Sequence, residues 1–154
     1  MSRRRLSKKR KIIADPIYDS LLIQMFTNRL LKKGKKQLAY RIVLESLALI
    51  QTNKKQDAIQ TLETAIQNLS PSIEIKTKRI GGAVYSIPVE ITSVRATNLA
   101  IRWLLMAAKQ RSGKSMSQKL SDEIFDAFKN MGNAIRKKEE VHRMAESSSR
   151  LMKK

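Results

Sequence analysis

Apolar residues recur three and four positions apart along most of this chain, and between residues 73 and 91 they alternate instead. The first spacing is that of a helix burying one face, the second that of a strand. Beyond Asp15-Pro16 the pattern predicts a helix starting near Asp19 or Ser20, with Leu22, Met25, Phe26 and Leu30 inward and Gly34 as its stop. A second helix carries Ala39, Ile42, Val43, Leu47 and Ile50 on its buried stripe and ends at the polar run TNKKQ. A third takes Asp57 as N-cap, buries Leu62, Ala65, Ile66 and Leu69, and stops at Ser70-Pro71.

Across KTKRIGGAVYSIPVEI, residues 76–91, the period becomes two. Ile73 and Ile75 on the first arm, with Tyr85, Ile87, Val89 and Ile91 on the second, are expected to form one apolar face near the base of a ribbon. Lys76, Lys78 and Arg79 crowd towards the tip, where Gly81-Gly82 supplies the positive φ angles of a tight reversal. Pro88 has no amide proton and suits an edge, which both strands of a lone ribbon have. Such a ribbon is marginal in water, so its base is expected to pack on helices while its tip projects.

Helical spacing returns after Thr92, with Leu99, Trp103, Met106 and Ala107 inward and Arg95, Arg102, Lys109 and Arg111 on other faces; Gly113 closes this helix. A fifth helix from about Ser115 buries Met116, Leu120, Ile124, Ala127 and Phe128 and stops near Gly132. A sixth, from about Asn133, is mostly charged, and the closing SSSRLMKK reads as frayed. The expected fold is therefore mainly α: a single domain of six helices with a protruding two-stranded β-hairpin between the third and fourth. Residues 1–14 form a basic arm, residues 15–146 the helical domain with its hairpin at about 73–91, and residues 147–154 a flexible tail.

Charge narrows the possible partners. The chain holds 32 Lys+Arg against 13 Asp+Glu, a net charge of +19, so the compact state repels itself unless a polyanion lies against it. Seven of the nine residues from 3 to 11 are basic, and such a block stays extended until a partner orders it. The absence of cysteine excludes a disulfide framework, a thiolate nucleophile and Cys-ligated zinc, and a single histidine excludes a multi-histidine metal site. No cofactor is implied. No run approaches the ~20 apolar residues of a membrane span, and no apolar stretch follows the basic start as in a signal peptide, so a soluble protein without a membrane partner is expected.

The candidate chemistry is thin. RSGKS at Arg111–Ser115 ends like a phosphate loop, but Ala108 stands where that motif needs glycine, and a helix precedes it rather than a strand. His142 has no nucleophile or carboxylate pair placed to work with it, and reads as a surface residue. Asp122 and Glu123 diverge by about 100° on a helix, and a solvated face is expected for both. In the last helix Arg136–Glu140 and Glu139–Arg143 have the spacing of i,i+4 pairs, leaving Lys137 and Lys138 free for an outside anion. Trp103 reads as core; Tyr85 is open between core and base stacking. What remains is electrostatic: the arm, the loop Lys32–Lys36, the ribbon tip and the helix bearing Arg95 and Arg102. Converging on one side, they would meet many phosphates of a structured nucleic acid. Charge alone does not choose RNA over DNA, and an architectural β-ribbon DNA-binding protein is the alternative.

Whole segments say more. MSRRR, DPIY at Asp15, GKK at Gly34, LSPSIEIKTKRIGGAVYSIPVEI from Leu69, NLAIRW at Asn98, RSGKSM at Arg111 and NAIRKKEEVHRMAE at Asn133, in this order from about residue 2 to 146, resemble the bacterial and plastid small-subunit ribosomal protein seven family. The resemblance implies a non-enzymatic structural constituent of the small ribosomal subunit. As a primary rRNA-binding protein it would bind the 3′ major domain of small-subunit rRNA and nucleate assembly of the head in translation. On matching positions it implies rRNA contacts by Arg3, Arg4, Arg5, Lys8, Arg10, Lys35, Lys36, Lys76, Lys78, Arg79, Arg95, Arg102, Arg111, Lys114, Met116 and Lys119. Ile80, Gly81, Gly82, Lys137, Lys138 and Arg143 would lie near exit-site tRNA and mRNA, with other small-subunit proteins as neighbours. DPIY, LAYRI, IRWLLMA and RKKEE look closer to plastid members, which implies a plastid (chloroplast stroma) ribosome, a bacterial cytoplasm being the alternative. A plastid-encoded copy starting at MSRRR would need no transit peptide.

Overall fold

The computed structural model of the chain describes residues 12–152, so the arm residues Arg3, Arg4, Arg5, Lys8 and Arg10 lie outside the described residues. Packing begins at Asp15, whose buried carboxylate accepts the amides of Ile17 and Tyr18 at 3.1 Å, closing the turn that leads into the first helix. Tyr40 lies beside it, and burial followed by the Asp15 carboxylate pushes its hydroxyl above the ordinary value. DPIY is thus a docking device for the chain's entrance into the fold.

Helices α1 (Leu21–Leu30), α2 (Lys36–Lys54) and α3 (Ala58–Leu69) precede a hairpin of β1 (Ile73–Ile80) and β2 (Ala83–Glu90). Helices α4 (Ser93–Gln110), α5 (Met116–Phe128) and α6 (Asn133–Met152) follow it. Two starts are fixed by side-chain caps: Asp57 accepts the amide of Ile59, and the Ser115 hydroxyl accepts that of Gln118. Helix α5 packs against α2, α3 and α4, so Leu120, Ile124 and Ala127 sit at the centre of a core that also takes Phe26, Leu47, Ile50, Leu62 and Leu69. Trp103 is buried, as expected.

Two expectations about faces need correction. On α4, Ile101, Leu104, Leu105 and Ala108 join the core while Met106 is 44% exposed. The helix is covered by α1, α3, α5 and α6, which widens its buried face and leaves a narrow open strip where Met106 falls. On the hairpin, the two-residue reversal pairs Ile80 with Ala83, Ile75 with Pro88 and Ile73 with Glu90. Odd-numbered residues therefore oppose even-numbered ones, and Ile73 and Ile75 lie on the opposite face from Tyr85, Ile87 and Val89. Residues of both faces are half-buried at the base, where α6 packs against both strands. Gly81 and Gly82, at φ +56° and +88°, form the turn, and the tip stands in solvent. Finally, α6 stays helical as far as Met152, through the segment read as frayed.

Glu123 departs furthest from its expected solvated face. Its side chain is 0% exposed, and one carboxylate oxygen accepts the Ala134 amide at 3.0 Å. The other pairs with the Arg111 guanidinium, which also reaches Asp126. The cluster ties the end of α4 to the middle of α5 and the start of α6. Gly132 closes it: at φ +96°, its added Cβ would stand 3.1 Å from the Glu123 oxygen. Gly132→Ala is expected to destabilise the fold by about 1–2 kcal/mol or more, from the left-handed backbone alone, seen as a lower urea midpoint at unchanged slope.

Candidate nucleic-acid interface

Along α4, Arg95, Asn98, Arg102, Met106 and Lys109 are the exposed positions of one strip. At about 100° per residue they fall within about 80° of arc, and Arg95 and Lys109 stand about 21 Å apart along the axis. No acid lies among them. By contrast α3 carries neither Lys nor Arg, so the basic charge is not spread evenly over the helices.

The hairpin meets the N-terminal end of this strip. Glu74 on β1 accepts from Arg95 Nε at 2.7 Å and pairs with Lys76 Nζ at 3.3 Å. The Arg95 guanidinium, against the opposing effect of burial and with help from Lys76, holds the Glu74 carboxyl below its ordinary 4.5. A depressed carboxyl contributes stability above its unfolded pKa and loses it as pH falls through the folded value. Amide exchange at the hairpin base is therefore expected to quicken below about pH 4.5, and Glu74→Gln to remove that acid dependence. Further out, Lys78 pairs across the ribbon with Tyr85, and Lys76 with Ile87 on the same face. Tyr85 is 48% exposed, which settles its open reading against the core. Arg79 lies on the other face, its Nε donating to the Gly82 carbonyl at 3.4 Å.

The C-terminal end of the strip meets the loop between α1 and α2. Lys33 and Gly34 take positive φ angles of +52° and +75°, and the Lys35 amide donates back to the Lys32 carbonyl at 3.1 Å. This turn sets Lys32, Lys33 and Lys35 around a cavity of about 410 Å³ that Lys109 and Met116 also line. Lys36 opens α2, and Lys114 is exposed in the α4–α5 connection. Lys119 is half-buried, its aliphatic stem beside Gly113. One face thus runs from the ribbon, along α4, to the lysine loop.

Residues 2–149 match the family described as ribosomal protein S7p/S5e. The chain belongs to that family. Among curated relatives it is similar to the small ribosomal subunit protein uS7c of Nephroselmis olivacea, 47% identical over 148 residues, which covers 96% of this chain and 95% of the relative. The protein of the same name from Tupiella akineta is 49% identical over 153 residues, covering 99% and 98%, and that from Chlorella vulgaris 44% over the same span.

Within this S7p/S5e chain, not every residue carried over by resemblance offers a free charge. Arg111 is held by Glu123 and Asp126, Arg95 and Lys76 share the Glu74 carboxylate, and Met116 is half-buried against the core. Lys137 and Lys138, expected to be free, are engaged: Lys137 pairs with Glu140 at 2.7 Å, and Lys138 donates to the Asn68 carbonyl at 2.6 Å. Asn68 in turn donates to the carbonyls of Ala127 and Phe128, so this cluster fastens α6 to the ends of α3 and α5. Glu140 therefore takes Lys137 rather than Arg136 as its partner, while Arg143 is exposed. His142 is half-buried, its Nε2 enclosed without a hydrogen-bond partner. Lys32, Lys33 and Lys109 also lie on this basic face, although the resemblance does not carry them over. The sevenfold spacing Arg95–Arg102–Lys109 was the signal for the last.

Among the described residues no group of three or more His, Cys, Asp or Glu is placed to hold a metal ion, and no helix is long and apolar enough to cross a membrane.

Proposed function

We propose that this protein binds the 3′ major domain of small-subunit rRNA and nucleates assembly of the subunit head, a structural rather than catalytic role. It is a constituent of the small ribosomal subunit of the plastid ribosome, as its family and its uS7c relatives support. The observation that carries the rRNA reading is the basic face along α4, closed at one end by the Lys32–Lys36 loop and at the other by the base of the ribbon. Lysines and arginines on three separate elements suit the phosphates of a folded RNA better than those of a straight duplex. Neither the family nor the relatives support the β-ribbon DNA-binding alternative.

In this reading Lys35, Lys36, Arg95, Arg102, Lys114 and Lys119 meet rRNA directly, and Arg111 and Met116 hold the α4–α5 connection in shape beneath it. The hairpin is a probe: its base is stabilised by α6, Lys76, Lys78 and Arg79 along its arms meet rRNA, and its tip, Ile80 to Gly82, reaches towards exit-site tRNA and mRNA along with Arg143. Lys137 and Lys138 support that region from within. Neighbouring small-subunit proteins complete its surroundings.

Competition distinguishes the readings. The purified protein is expected to protect a multi-helix junction in a 3′ major domain transcript, with duplex DNA a poor competitor at equal phosphate concentration. Equal competition by duplex DNA, or diffuse protection of any RNA, would overturn the assignment.

A further inference from the structure

We propose that the lysine-rimmed cavity where α1, α2, α4 and α5 meet takes one unstacked base of the rRNA, with the flanking phosphates held by its rim. This deepens the rRNA-binding reading and rests on it. The cavity, about 410 Å³, falls within the ~300–1,000 Å³ range of sites that enclose a small organic group. Its floor is apolar, formed by Leu30, Ala39, Ile42 and the Met116 thioether, and Leu38, 51% exposed, also lines it. Every charged residue lining it is a lysine: Lys32, Lys33, Lys35 and Lys109.

An apolar floor inside a ring of cations matches a nucleotide, whose base presents two weakly polar faces and whose phosphates sit to either side. A free phosphate would leave the floor unused, and a neutral apolar segment would leave four ammonium groups unused. The chain's own basic arm is repelled by the rim. The cavity also continues the α4 strip through Lys109, so RNA following that strip arrives at its mouth with phosphates already paired. No aromatic side chain lines the site, so the base would rest on Met116 and aliphatic carbons, contacts that tolerate any of the four bases.

The test uses the full chain and a 3′ major domain transcript, with chemical probing of base reactivity. The unmodified protein is expected to protect at least one single-stranded base in addition to backbone positions. Leu38→Trp, which crowds the cavity without replacing a lysine, is expected to restore reactivity at that base. It should weaken binding about tenfold and leave the salt slope unchanged, since no lysine is replaced. Leu38→Gln, which makes this lining residue polar, is the second variant should the tryptophan disturb folding. Wild-type base reactivity patterns with both variants would overturn the proposal, whatever else the cavity accepts. Failure of the unmodified chain to bind rRNA in a salt-dependent way would instead overturn the reading beneath it, and the two failures are distinguishable.

Discussion

Glu123→Ala is expected to lower the unfolding free energy by about 3–5 kcal/mol, the usual consequence of removing one partner from a buried ion pair. Three losses add together. Arg111 keeps a largely enclosed guanidinium with only Asp126 to meet it, the Ala134 amide loses its acceptor, and a cavity opens at a fully buried position between three helices. Against a typical total of about 5–15 kcal/mol for a domain, that is a large share. Glu123→Gln keeps an oxygen for Ala134 and most of the volume but not the charge, so an intermediate loss is expected. Urea titration followed by circular dichroism measures both. A loss below about 1 kcal/mol for the alanine variant would mean that the cluster is a surface ion pair in all but appearance.

The second large effect concerns binding. Lys33, Arg102 and Lys109 are exposed, and none makes an ion pair among the described residues. Replacing all three by glutamine is expected to leave the unfolding midpoint where it was. If each neutralises one phosphate, the slope of log K against log salt flattens by about 2–3, at ~0.9 per phosphate on duplex and ~0.7 on single strands. A triple variant on α3, Gln60→Ala, Glu63→Gln and Gln67→Ala, is the control expected to change neither slope nor affinity by much. An unchanged slope for the α4-face variant would remove these residues from the interface.

What the sequence made legible follows from the range of the forces involved. Helix limits set by local capping were readable, because Asp57 and Ser115 bond amides two and three residues away. The hairpin was readable from alternation and Gly81-Gly82, yet its faces were misassigned. A two-residue turn reverses parity between the strands, so residues of like parity on opposite strands cannot share a face. The α4 strip showed in the spacing of its basic residues, but Met106 on it depended on how many neighbours cover the helix. Glu123 and Lys138 were beyond local reading, since their partners are 11, 12 and 70 positions away. A terminal position suggested fraying after residue 146, whereas α6 carries on to Met152, since an established helix extends residue by residue at little cost.

The absence of native cysteine gives the most direct test of the central idea, that one basic face lies against rRNA. A cysteine placed at exposed Asn98, mid-strip on α4, and another at exposed Glu63 on α3 can each carry a tethered cleavage reagent into the assembled complex. Strong, localised cleavage of the 3′ major domain is expected from position 98 and little from position 63. Comparable cleavage from both, or cleavage from position 63 alone, would contradict it.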